Sequence, residues 1–261
     1  MTGAVADLPG SWGRAPYLQM GHGDSAVHGV WCEEDAVVVA VERPGGSRGL
    51  VGLGPAPSVA RLLDDAVAAL AAPPGRWSTV RWATVPRGTW DAVDGATRST
   101  FDGWSQPASW DCMWTSRNLV DVAAHAVERL PAADPDVRTE VAHALARAHP
   151  SASTSPDDPR LVGWWGARVE GRLVAVVGAL RYGRGLAPHL VSLGVDPDHR
   201  GRGLAGAVLA AAVRDGLADG TEVGPAAVWL GLYSHNAVAR RVYLRHGFEL
   251  GHEFESRDAP A

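Results

Sequence analysis

Residues 36–42, Ala-Val-Val-Val-Ala-Val-Glu, are apolar and β-branched, the pattern of a buried strand. Residues 49–54 predict a second. From 58 to 71 the apolar positions Val59, Leu62, Leu63, Ala66, Val67 and Leu70 recur every three or four residues, which is one face of a helix. Residues 77–85 alternate and predict a strand. Residues 86–109 are rich in Gly, Pro, Ser and Asp, so a boundary is expected there, with one domain over 1–107 and another over 108–261.

The second half is patterned more clearly. Residues 110–116 predict a strand. Helices are expected over 118–130, with Leu119, Val122, Ala123, Ala126 and Leu130 inward, and over 136–148, with Val137, Val141, Ala144, Leu145 and Ala148 inward. Two apolar runs flank Glu170-Gly171, a two-residue hairpin signal. Residues 189–195 predict a strand, followed by an arginine-glycine stretch and a helix to about Leu217. A strand over 226–233, a helix over 236–247 and a final strand over 248–254 complete the order. The predicted class is α+β, a mostly antiparallel mixed sheet with helices on both faces.

Composition narrows the chemistry. The chain has 261 residues and a formal charge of −5, with no basic face of the kind that binds nucleic acid. All 24 basic residues are arginine, which removes lysine Schiff-base enzymes and P-loop or kinase lysines. Cys32 and Cys112 form neither a disulfide framework nor a metal site, and no metal is expected. No apolar run approaches a membrane span and the first residues lack a secretory pattern, so a cytoplasmic protein with no membrane partner is expected.

The stretch His-Arg-Gly-Arg-Gly-Leu-Ala-Gly at 199–206 fits two motifs. Gly201, Gly203 and Gly206 spell G-x-G-x-x-G. A dinucleotide site would need that turn directly after a strand and an acidic residue ending the next strand. Here five residues intervene, and Glu222 precedes the next strand. Arg200, Gly203 and Ala205 spell R-x-x-G-x-A between a strand and a helix. The glycines admit a phosphate close to the backbone, and the helix start adds N–H groups and a positive dipole end. A glycine-rich helix start with solvated arginines is the plain alternative. Farther on, Asn236, Ala239, Tyr243, Gly247 and Phe248 follow at N-x-x-A-x-x-x-Y-x-x-x-G-F spacing. By residue type alone, Asn236 is a helix N-cap and Tyr243 a core aromatic.

Together the two motifs resemble those of the GNAT superfamily of acetyl-CoA-dependent N-acyltransferases, over about residues 108–258. The resemblance implies transfer of an acetyl group from acetyl-CoA to a primary amine of a small molecule or peptide. It implies cofactor binding by Leu193, Gly194, Val195, Arg200, Gly201, Arg202, Gly203, Leu204, Ala205 and Asn236, and a catalytic role for Tyr243 as the acid that protonates the departing thiolate. The strand 189–195 carries no carboxylate to serve as base, and His189 is its one titratable side chain. That lack leaves a second function open, a non-catalytic acyl-CoA-binding regulatory module. Trp164 and Trp165 lie on one strand and must face opposite ways, one into the core and the other available to an acceptor. Residues 48–70 echo 190–213 in outline without the R-x-x-G-x-A signature, as in a tandem acyltransferase with a degenerate N-terminal half. Nothing in the sequence excludes a homodimer.

Overall fold

A computed structural model describes residues 3–71, 79–120, 122–152 and 154–260. Chain order begins with β1 (Gly3–Ala4), α1 (Pro16–His22), β2 (Ala26–Cys32), β3 (Val37–Glu42), β4 (Arg48–Leu53), α2 (Ala56–Ala71) and β5 (Val80–Pro86). Two short helices follow, α3 (Thr89–Ala92) and α4 (Gly95–Thr100). Then come β6 (Ala108–Thr115), β7 (Glu128–Leu130), α5 (Pro135–Ala148), β8 (Leu161–Val169), β9 (Arg172–Leu180) and β10 (His189–Val195). The chain ends with α6 (Leu204–Ala218), β11 (Val228–Tyr233), α7 (Ala237–Arg245) and β12 (Glu249–Asp258).

The chain forms two compact units. The first holds Met1–Cys112, Tyr233–His235 and Gly251–Ala261, and the second holds Met113–Leu232 and Asn236–Leu250. In the first, strands run in the order β1-β2-β3-β4-β5-β12. All are antiparallel neighbours except β4 and β5, which are parallel and joined by α2. The apolar stripe of α2 buries Val59, Leu62, Leu63, Ala66 and Val67 against Val38, Leu50, Ala83 and Val85.

In the second unit the order is β11-β10-β9-β8-β7, again antiparallel except for parallel β10 and β11, which α6 connects. The β2-β3-β4-α2-β5 run thus repeats the pairing order of β8-β9-β10-α6-β11, so residues 48–70 and 190–213 share an outline in the structure as in the sequence. One face of this sheet packs Trp165, Ala175, Val177 and Ala179 with Leu204, Val208 and Leu209 of α6 and Tyr243 of α7. The other packs Trp164, Leu173 and Val176 with Val141, Ala144 and Leu145 of α5. Trp164 and Trp165 do face opposite ways, but both are fully buried, so neither lines an acceptor pocket. The hairpin at Glu170-Gly171 has positive φ at both residues (51° and 77°), the geometry of a type I′ turn.

One expected helix is absent. Residues 116–127, apart from Asp121 outside the described residues, are not helical, and 128–130 are strand β7. Tertiary contacts outweigh helix propensity here. Leu119 and Val127 pack on the α6 core, Leu130 enters the α5 core, and Val120 donates its N–H to the His246 carbonyl while its own carbonyl meets the His246 ring Nδ1. The strand expected over 77–85 is found from Val80, and residues 77 and 78 lie outside the described residues.

Candidate active site

The site starts with a fault in β10. Pairing with β9 runs Val191↔Gly178 and then Gly194↔Val176, so β10 carries one extra residue. Ser192 sits in that bulge with φ 54°, a left-handed conformation rare for a residue with a side chain. On its other edge β10 pairs with β11 only at His189↔Trp229 and Leu190↔Leu230. From Val191 onward that ladder has stopped, so the edge of 191–195 faces a split between two parallel strands. In the first unit the corresponding ladder runs farther: β4 pairs with β5 from Arg48↔Val80 to Val51↔Thr84, leaving Gly52 and Leu53 beyond it.

Beyond Val195 the chain turns through Asp196 and a single 3₁₀ turn over Pro197–His199. Gly201 and Gly203 adopt φ of 73° and 82°, which only glycine enters at little cost. Gly203 is the N-cap of α6 and provides no side-chain cap, so the first-turn N–H groups of a 15-residue helix meet no capping oxygen there. Gly201–Gly203 are exposed and Leu204 is buried in the core. A Cβ on Gly201 would meet nothing within 4 Å, whereas one on Gly203 would lie 2.6 Å from the Cβ of Ala123. Backbone N–H groups, an uncapped helix start and open space at Gly201 together suit an anion such as a pyrophosphate.

The third glycine has a packing explanation. A Cβ on Gly206 would lie 2.6 Å from His246 Nε2. His246 is buried at the end of α7, with its Nδ1 2.9 Å from the Val120 carbonyl. The third glycine of the G-x-G-x-x-G pattern therefore lets α6 approach a histidine ring.

The arginines are engaged within the loop's frame. Arg200 donates from Nε to Val195 O (3.1 Å) and from Nη2 to Ala148 O (3.3 Å). Arg202 donates to Asp198 O at 3.1 Å. His125, on the non-helical 116–127 segment, has Nε2 2.6 Å from Arg202 O. These positions brace the loop, a role that sequence spacing did not distinguish from phosphate contact.

Asn236 caps α7, its Oδ1 accepting the Ala239 N–H at 3.0 Å. Tyr243 is buried in the same core as Leu204, with Leu193 and Val195 packed at the margin of that core. Its ring meets Phe248 edge-on at 5.6 Å, and burial pushes its phenol up to about 12. Neutral throughout the physiological range, that phenol is a donor. His189 is half-buried at the far end of β10, stacked on Trp229 at 4.0 Å, with Nδ1 3.0 Å from the Tyr182 hydroxyl. Burial first, and then the charge of Arg160, hold its pKa near 3, so it is a poor base at neutral pH.

Sequence reasoning missed the bulge at Ser192, the Asp196 contacts and the segment carrying Ala123 and His125. Asp196-Pro197 carries a local turn signal. The partners of Asp196, such as Arg147, are too distant in sequence to leave one.

Comparison with known proteins agrees with this geometry. Residues 127–248 match the model of the acetyltransferase (GNAT) family. No curated protein matches the chain by sequence. Among solved structures, a GNAT-family protein from Novosphingobium aromaticivorans is similar over 87% of this chain and 88% of its own, with TM-score 0.51 and 19% identity. A Drosophila protein is similar over 86% of this chain and 74% of its own, with TM-score 0.56 and 17% identity. At such identities the structures speak for the fold alone, and the family match supplies the chemistry. The chain therefore carries, at residues 127–248, an acyl-transfer domain of the GNAT acetyltransferase family.

Proposed function

We propose that the second unit moves an acetyl group from acetyl-CoA to a primary amine of a small molecule or peptide by direct attack. The observation that carries this is the split beside the bulge, running directly into the uncapped start of α6. Gly201, Gly203, Leu204 and Ala205 hold the pyrophosphate by backbone N–H groups, with the positive end of α6 behind them. Arg200 and Arg202 keep that loop in shape. Backbone groups of Leu193, Gly194 and Val195 pair with the pantetheine arm as an added strand. An N–H of the 191–195 edge meets the thioester oxygen as negative charge develops on it. Asn236 starts the helix that carries Tyr243 and meets the pantetheine region. Tyr243 donates its phenolic proton to the departing thiolate.

The alternative is a non-catalytic acyl-CoA-binding module. It is favoured by one observation: β10 carries no carboxylate, and its half-buried histidine is neutral. Release of free CoA thiol from acetyl-CoA in the presence of an amine panel separates the two. Amine-dependent release supports transfer, while tight binding without release under every amine supports the module.

A further inference from the structure

Behind the loop lies a charge cluster outside the roles just described. Asp196 is 3% exposed, and its carboxylate gathers partners from three elements. Arg147 of α5 donates from Nε at 2.9 Å, and Arg172 at the start of β9 lies 3.6 Å away. The Asp198 N–H is at 3.1 Å, and His199 Nδ1 at 3.8 Å. The Asp196 backbone joins in, with its N–H on Val174 O at 2.8 Å and its carbonyl accepting from His199 at 2.9 Å. Arg147 also approaches Asp198 at 3.7 Å, and the carbonyl of the next residue, Ala148, accepts from Arg200. The carboxyl is held near 2, chiefly by the Arg147 hydrogen bond, so it is a full anion at neutral pH.

An anion beside a phosphate site is a liability unless it does something else. Here Arg147 and Arg172 offset its charge, and its contacts tie the loop to α5, which packs on the sheet face opposite α6. We propose that Asp196 is a positioning residue for cofactor binding, presetting the 197–203 loop so that the N–H groups at the start of α6 are in place before the pyrophosphate arrives. The inference rests on the acetyl-CoA reading above. It follows from preorganisation: a loop ordered in advance loses less entropy on binding.

Asp196→Asn tests it with opposite signs. The amide keeps an oxygen for the Asp198 N–H and loses both ion pairs. If charge alone mattered, removing an anion would tighten binding of polyanionic acetyl-CoA. If Asp196 positions the loop, binding weakens by about tenfold. KM for acetyl-CoA should rise with kcat little changed, because the loop holds ground state and transition state alike. Arg147→Gln, on a half-exposed side chain, should give the same pattern, and the double variant should lose little more than either single one. Amide exchange over 197–203 in the unliganded protein should quicken in both variants, a readout independent of any ligand. Wild type that binds acetyl-CoA, with variants that bind it equally or more tightly, overturns the inference and leaves the acetyl-CoA reading intact. Unchanged amide exchange overturns it as well, and wild type that binds no acetyl-CoA overturns both.

Discussion

Gly201 and Gly203 have nearly the same backbone conformation and different surroundings, so alanine at each separates strain from crowding. Both have left-handed φ, 73° and 82°. An L-residue there costs about 1–2 kcal/mol, offset by about 0.4–1 kcal/mol from the stiffer unfolded chain. Gly201→Ala adds a methyl that meets nothing within 4 Å, so its net cost is about 1.6 kcal/mol or less. Gly203→Ala places its methyl 2.6 Å from the Cβ of Ala123 and 3.6 Å from His125 Nε2. Ordinary carbon contacts begin near 3.5 Å, so about 1 Å of movement is needed. The segment that must move is held by the Val120–His246 and His125–Arg202 contacts. Overpacking of this kind costs about 1–3 kcal/mol, and that is the expected gap between the variants. Urea denaturation followed by tryptophan fluorescence measures it, and amide exchange over 122–127 should quicken in Gly203→Ala alone. Equal losses, or the larger loss at Gly201, would refute the account of how the segment meets the loop.

Tyr243→Phe should fold and bind acetyl-CoA, because the ring keeps its packing, while single-turnover transfer falls by about 10²–10⁴. A rate within about threefold of wild type would assign the proton to water. Stability should fall in acid. His22 and His189 stay neutral in the folded chain down to about pH 3, mainly through burial, while unfolded imidazoles protonate near 6.5. The unfolded state therefore binds more protons between those values, and stability declines as pH drops through that window. Each histidine contributes a slope approaching about 1.4 kcal/mol per pH unit. His189→Phe, which retains a ring against Trp229, should remove one proton's share of that slope, and a slope identical to wild type would contradict the assignment.

The strands and helices on either side of α2 and α6, the Glu170-Gly171 hairpin and the strand-loop-helix around Gly203 were legible because each is written locally, in periodicity or in glycine spacing. The helix expected over 118–130 failed because its apolar residues serve three different neighbours: Leu119 the α6 core, Ala123 the Gly203 turn and Leu130 the α5 core. The strands Ala26–Cys32 and the helix Pro16–His22 went unseen because their patterns are short and mixed. At the candidate site, spacing drew attention to Gly201 and Gly203, both of which have positive φ, whereas the packing reason for Gly206 is the ring of His246, 40 residues farther on. Asp196 depends on Arg147, 49 residues earlier, and no local pattern joins them.

Calorimetric titration of the whole chain with acetyl-CoA tests the central claim most directly. The open edge after Leu190 and the uncapped start of α6 predict a single site in the second unit, and the longer β4–β5 ladder predicts none in the first. One acetyl-CoA per chain, with no heat from NAD under the same conditions, is the expected result. No acetyl-CoA binding, or two equivalent sites per chain, would contradict it.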